Sequence, residues 1–363
     1  MMVGRIVYME LRTGWKGLLI FGLLILVISA GIVQIFPTFR DSLTEELEGA
    51  NKVSLELPEE QEGNITLSWK SMEKATSYMV LEDSRLSMVT AKLKYTGAET
   101  SITFEKDFEE KRYYAVMAIL NETSESLLVG IATTEKGENP FQELLQNPVY
   151  KGLTGGRNIN MLEAKGFIAL EFFSWWWMLA GLFIAYLSVS VVASDFENKH
   201  MDMLLSTPVS RRQYLIEKFS AMTIVALLVI LVATAGLASG LTSINALNEF
   251  PPHIVFQSLI GFLPFLMVIV SVGMFTAALF QKVRAGMGLT FAFVFAEFFL
   301  YAFGGLSKSL EWMKTISIFN YWDYSSVIID DFFKAGDFIL LTILAITLLI
   351  IGILIFEKKD IPA

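Results

Sequence analysis

Apolar residues along this chain gather in long unbroken blocks instead of recurring with a period of two or four. Gly17–Phe39, Phe172–Ser194, Phe219–Asn248, Ile254–Gln281 and Phe338–Phe356 contain no charged residue, and Ala285–Ser307 is interrupted only by Glu297. A hydrocarbon core about 30 Å thick is crossed by roughly 20 helical residues, so each block is long enough to span a bilayer. The pattern predicts six membrane helices. The first block is also weighed as a signal peptide, with Arg5 and Lys16 as its basic start and Ser29–Gly31 as a cleavage site. Its apolar run exceeds the usual length of such a peptide and argues for an uncleaved anchor.

Between the first two blocks the pattern changes. Val53–Leu57, Ile65–Trp69, Ser77–Leu81, Ser101–Phe104, Tyr113–Leu120 and Leu127–Thr133 are short and mostly alternating or rich in β-branched and aromatic residues, with polar clusters between them. That spacing predicts an all-β sandwich over residues 51–135. Residues 40–50 read as a linker. Residues 136–165 read as short surface helices around a glycine-rich turn, Gly152–Gly156, leading into the second span. Residues 166–363 hold the other five spans. Trp175, Trp176 and Trp177 would lie near the headgroups as an aromatic belt, with a binding role as the alternative.

Composition agrees with the blocks. The chain is 54% hydrophobic with 29 phenylalanines, and its mean hydropathy is +0.53, too apolar for a soluble protein of 363 residues. Arg5, Arg12, Lys16, Lys199, Arg211, Arg212, Lys218, Lys282, Arg284, Lys358 and Lys359 flank one set of block ends, against Lys308, Lys314 and Lys334 on the other. By the positive-inside rule both termini face the cytoplasm. The expectation is a multi-pass plasma-membrane protein with a large extracellular domain. The net charge of −9 lies mostly in the loop 40–165, which holds 14 basic and 22 acidic residues. Such a surface suits solubility and argues against nucleic acid as a partner. With no cysteine, the domain has neither disulfides nor thiol chemistry.

The stretch from Asp195 to Lys218, between the second and third spans, carries the most specific signals. Thr207-Pro208 breaks any helix entering from Asp195, because the residue before proline avoids the helical region. Ser210-Arg-Arg-Gln213 reads as a capping box for a new helix, with Gln213 reaching back to the serine. Met201, Leu204 and Leu205 share one face of the first segment, while Glu197, Lys199, His200 and Asp202 stay polar. Arg211 and Arg212 fall in the first turn of the new helix, where the dipole disfavours cations. Either something else uses them, or they face lipid phosphates under the positive-inside rule.

The run Met203-Leu-Leu-Ser-Thr-Pro-Val-Ser-Arg-Arg-Gln-Tyr-Leu-Ile-Glu-Lys218 resembles the cytoplasmic segment of ABC transporter permeases of the ABC-2, or type-2 exporter, family. Asp202 stands at the acidic position of that motif, and His200 and Met201 replace its Gly-Thr. The resemblance implies a coupling helix seated in a groove of an ATP-binding subunit. Asp195, Glu197, Met201, Asp202, Leu204, Leu205, Pro208, Arg211 and Arg212 are then the coupling residues. It further implies a second permease chain as partner and no cofactor on this chain, ATP and magnesium belonging to the ATP-binding subunit. Arg5–Trp15 resembles the family's interfacial elbow helix, and Ser317–Tyr324 its re-entrant external region. The segment 51–135 resembles a fibronectin type III domain, which implies Trp69 and Tyr78 in its core together with Tyr113 or Tyr114. Asn64 and Asn121 open N-glycosylation sequons within the segment assigned outside.

No G-x-x-x-x-G-K-[ST] loop occurs, so this chain does not cradle nucleotide phosphates in that way and is not expected to be an enzyme. There is no H-E-x-x-H and no G-x-S-x-G, and His200 and His253 fall on opposite sides of the membrane, so no metal site is expected. Glu297 is the one acidic residue deep within a span. It lies on a substrate or cation route, or is a protonated, hydrogen-bonded residue between helices. The competing readings are a receptor or adhesion protein using the sandwich and an ion-coupled transporter using Glu297. The first does not account for six spans; the second predicts several intramembrane charges.

Overall fold

Each apolar block forms a helix because, in lipid, backbone polar groups must be satisfied within the segment itself. The computed structural model describes residues 4–50, 53–56, 64–72, 75–84, 88, 90–105, 112–120, 126–134, 161–201, 209–305 and 308–358. Six helices among them are long and apolar enough to cross a membrane. They are α1 (Arg5–Ala50), α2 (Ala164–Glu197), α3 (Arg211–Ser243), the pair α4 (Pro252–Ile260) and α5 (Leu263–Phe280), α6 (Val283–Gly304) and, after shorter helices, α9 (Ala335–Lys358). Between α6 and α9 lie α7 (Glu311–Ile316), a 3-10 turn Ile318–Tyr321 and α8 (Tyr324–Asp330).

Two expectations are corrected at the first helix. No break separates an interfacial segment Arg5–Trp15 from the first span, and no linker follows at 40–50: α1 runs without interruption from Arg5 to Ala50, through Pro37. The stretch after Arg40 includes Leu43, Glu45, Glu46, Leu47, Glu48 and Ala50, good helix formers that carry the helix past its apolar block. Of the surface helices expected over 136–165, the part at 136–160 lies outside the described residues.

Residues 38–147 form one compact unit. Among the described residues its strands are β1 (Val53–Glu56), β2 (Asn64–Trp69), β3 (Ala75–Asp83), β4 (Lys92–Gly97), β5 (Ser101–Glu105), β6 (Tyr113–Leu120) and β7 (Ser126–Thr133). They make two antiparallel sheets, ordered β1-β2-β5 and β4-β3-β6-β7. One core draws on both: Val53, Ile65, Leu67 and Trp69 from the first, Tyr78, Val80, Tyr114, Val116, Ala118, Val129 and Ala132 from the second. Trp69 meets Tyr78 edge-on with centroids 5.7 Å apart, and the Tyr78 hydroxyl accepts from Met72 N at 2.8 Å. The alternation of β6 resolves the choice between its tyrosines: Tyr114 enters the shared core, and Tyr113, also buried, faces the other way. Burial, with the Glu82 carboxylate nearby, raises the Tyr114 hydroxyl above the ordinary tyrosine range. Asn64 is exposed at the start of β2, while Asn121 lies outside the described residues.

The other unit, residues 1–37 and 148–363, is helical. Here α5 is central, packed on α2, α3, α6 and α9. Apolar surface gives no preference for protein over lipid, so close backbone approach and interhelical hydrogen bonds do much of the holding. Ser271 Oγ donates to Ala345 O at 2.8 Å and joins α5 to α9, while Thr276 and Thr290 hydroxyls 2.8 Å apart join α5 to α6. The Gly236-Leu-Ala-Ser-Gly240 stripe of α3 lies directly on α1. A Cβ at Gly236 would meet Leu26 O at 2.9 Å, and one at Gly240 would meet Ala30 O at 2.9 Å.

Within α2 the backbone widens twice into π-helix, at Ala169–Phe173 and Trp177–Gly181. Each wide turn shifts the phase of the side chains that follow. Phe172, Phe173, Trp176 and Trp177 are all buried, and of the three tryptophans Trp175 alone is exposed. The aromatic-belt expectation is therefore corrected for two of the three tryptophans. Trp177 stacks on Phe298 at 4.5 Å and meets Phe319 edge-on at 5.4 Å, and Trp176 stacks on Phe172 at 4.9 Å.

Three variants test this packing. Gly240→Leu should cost about 1–3 kcal/mol by overpacking the α1–α3 contact and lower the thermal midpoint in detergent. Gly288→Ala, whose added Cβ meets nothing within 4 Å, should be neutral or slightly stabilising. Trp69→Ala should cost about 3–5 kcal/mol and open residues 53–133 to limited proteolysis while the helical unit stays resistant.

Candidate functional site

The signals that single out Asp195–Lys218 act through the two helix ends that bound it. Helix α2 stops at Glu197, and Lys199 takes a left-handed conformation with φ of 57°. Helix α3 starts after Ser210, whose hydroxyl accepts from Gln213 N at 3.1 Å. The capping box is only half formed. Gln213 does not reach back to Ser210; its Nε2 donates to Glu217 Oε1, one turn on, at 2.9 Å. That leaves Glu217 Oε2 to accept from Ile6 N at 3.0 Å. Ile6 is in the first turn of α1, where backbone N–H groups lack intrahelical partners. The glutamine is thus diverted to hold a carboxylate that caps a different helix.

One turn along lies Lys218, with its side chain 1% exposed. Its ammonium has three protons and three acceptors: Glu10 Oε1 on α1, and Val191 O and Asp195 Oδ2 on α2, the last two at 2.8 Å. The Tyr214 hydroxyl also donates to Asp195 Oδ2, at 2.6 Å. An ammonium is buried only where pairing and hydrogen bonding replace its hydration. Here both conditions are met, and three helices converge on one nitrogen. His200 Nδ1 stands 3.9 Å from Asp195 Oδ1 at the rim.

The two arginines separate. Arg211 Nη1 donates to Phe356 O and Glu357 O, each at 3.2 Å, and its guanidinium stands 6.0 Å from the Phe356 ring centroid. Those carbonyls belong to the last turn of α9, which lacks intrahelical donors and carries the negative end of the dipole. A cation misplaced on its own helix is well placed on its neighbour's. Arg212 is exposed. Glu197 Oε1 accepts from Val283 N, at the start of α6, at 3.0 Å. The ends of α1, α2, α3, α6 and α9 are therefore tied together around this stretch.

Among the proposed coupling residues, Asp195 is thus engaged inside the chain, and Met201 is 2% exposed. Asp202, Leu204, Leu205 and Pro208 lie outside the described residues. Glu10, Tyr214, Glu217 and Lys218 carry the cluster and were not singled out by sequence. Their signal was a run of charge at the mouth of an apolar block, indistinguishable in one dimension from a solvated flank.

Away from this end, Glu297 is half-buried and engaged with backbone. Its Oε2 accepts from Ile318 N at 2.9 Å, and its backbone carbonyl accepts from Ser317 Oγ at 2.7 Å. It pins the 3-10 turn between α7 and α8 against α6. Asp323 then holds the start of α8, accepting from Ser326 N at 3.0 Å and from Lys334 Nζ at 2.6 Å. No group of His, Asp or Glu side chains suited to a metal ion occurs among the described residues.

Lys218→Met should leave Glu10 and Asp195 close together without a counter-charge, costing about 3–5 kcal/mol. The neutral combination Glu10→Gln, Asp195→Asn, Lys218→Met should recover most of that loss. Thermal unfolding in one detergent, read across the series, checks both; a single variant as stable as the parent would show that the cluster is not what joins these helices.

Comparison with curated proteins and with solved structures gave no match. A family model described as "ABC-2 family transporter protein" matches residues 6–361, nearly the whole chain. Its match takes in all six spans and the residues of the charge cluster. The chain therefore belongs to the ABC-2 family of transporter proteins, the membrane components of ABC transporters.

Proposed function

We propose that this chain is the permease subunit of an ATP-driven exporter, paired with a second permease chain and coupled to separate ATP-binding subunits through residues 195–218. The observation that carries the reading is the convergence of five helix ends on that stretch. A push on the segment between Met201 and Ser210 would reach α1 through Lys218 and Glu217, α6 through Glu197 and α9 through Arg211. A transmission element needs this wiring; a connecting loop does not. ATP and magnesium belong to the partner subunit, and this chain performs no hydrolysis.

Both termini face the cytoplasm in this reading. In support, the helix ends that bond to one another carry Arg5, Arg12, Lys199, Arg211, Arg212, Lys282, Arg284 and Lys358. The β unit is then extracellular. Its strand order and single shared core favour a fibronectin type III-like sandwich, with Trp69, Tyr78 and Tyr114 as core residues. A plasma-membrane location follows from the same orientation. Coupling to an ion gradient is less favoured, because Glu297 is engaged with the backbone of the 317–321 turn.

Purification under mild conditions should recover an ATP-binding protein with this chain. Arg212→Glu should reduce that recovery severalfold while leaving thermal stability unchanged, since Arg212 is exposed. A chain that purifies alone, from cells expressing its native neighbours, would overturn the reading.

A further inference from the structure

A cavity of about 600 Å³ opens beside the charge cluster, between α1, α2 and α3. That volume falls within the range of sites that hold small organic molecules. Phe183, Leu187 and Met222 form part of its apolar wall, and Glu10, Asp195, Lys218 and His200 line its polar end. Met9 and Tyr186, also in its lining, are 44% and 45% exposed, so the cavity is accessible from outside the helical unit.

The polar end has a definite sign. Lys218 has committed all three of its protons to Glu10, Val191 and Asp195. It has no donor left for an anion. Glu10 Oε2 and Asp195 Oδ1 accept no hydrogen bond among the described residues, although His200 stands 3.9 Å from the latter. Ser190 Oγ, in the same lining, is buried without a partner. Two carboxylates and one ammonium leave one net negative charge, and the two unoccupied carboxylate oxygens can only accept. Such a wall and such an end fit an apolar chain that ends in a hydrogen-bond-donating cation. We propose that this cavity binds a single-chain amphiphile with a primary ammonium head, its chain along the apolar wall and its head against Glu10 and Asp195. A phosphate or sulfate head would meet net like charge there, and Lys218 has no proton to spare for it.

The test uses the whole chain in nanodiscs of uncharged lipid at pH 8, with a diazirine-bearing dodecylamine as photoprobe. Neither nucleotide nor an ATP-binding subunit is present, so the result is independent of whether the chain exports anything. Label should fall on peptides covering residues 9–18, 183–195 and 218–225. Unlabelled dodecylamine should suppress it at a concentration at least tenfold lower than dodecyl sulfate requires. Gly17 lines the cavity, and a Cβ built there meets nothing within 4 Å. Gly17→Leu should therefore fill the space without touching the cluster, cutting labelling about tenfold at unchanged thermal stability. Glu10→Gln should remove the preference for the amine over the sulfate. Equal competition by dodecyl sulfate, label confined to other helices, or full labelling of Gly17→Leu would each overturn the site. Competition by phosphatidylethanolamine as strong as that of dodecylamine would assign the cavity to a zwitterionic lipid and overturn the proposed ligand.

Discussion

A buried ammonium tolerates no partial solution. The Lys218 side chain is 1% exposed, and its charge is compatible with burial only while Glu10, Asp195 and the Val191 carbonyl all stay in place. Because those acceptors come from α1 and α2 while the lysine rides on α3, the requirement of one nitrogen fixes how three helices meet. Moving any one of them strands a charge, so small displacements are resisted and a large one must rearrange the cluster as a whole. Elements with two discrete arrangements, rather than a continuum, are what long-range coupling uses. Under the proposed export cycle, this gives the 195–218 stretch a firm purchase on the membrane helices.

A second device recurs at both ends of the helical unit. Four helix starts are capped by a carboxylate from elsewhere in the chain: Ile6 N by Glu217, Val283 N by Glu197, Ala164 N by Glu249 and Ile318 N by Glu297. The residues before α2 and α6, Glu163 and Lys282, make no side-chain cap of their own. An uncapped helix start offers unsatisfied N–H groups and a partial positive charge. Supplying the cap from another element converts a local need into a tertiary bond. It also gives Glu297 a structural reason to be acidic within an apolar block.

These bonds explain what could and could not be read from the residues in order. Spans are legible because lipid imposes a length and an apolarity that show directly in one dimension. The strands of the β unit are legible by alternation, and Trp69 and Tyr78 lie in its core. Three features were hidden. The continuity of α1 depends on residues past Arg40 that look like a linker by polarity and like a helix by propensity. The inward turn of Trp176 and Trp177 follows the π-turn at Ala169–Phe173, which leaves no mark in an apolar run. The cluster of Lys218 depends on partners 23 and 208 positions away along the chain.

One hidden feature did leave a trace, and it is the kind worth looking for. Arg211 breaks the dipole rule for α3, and the violation disappears once the carbonyls of α9 are counted as its environment. Gln213 fails its expected reciprocal cap for a similar reason, being engaged by Glu217 on behalf of α1. A charged or amide side chain that is wrong for its own helix end is costly to keep unless a second helix end makes it right. In a membrane protein the apolar blocks report the solvent and are nearly silent about assembly. The polar residues at their mouths, where local rules are broken, record which helix ends meet.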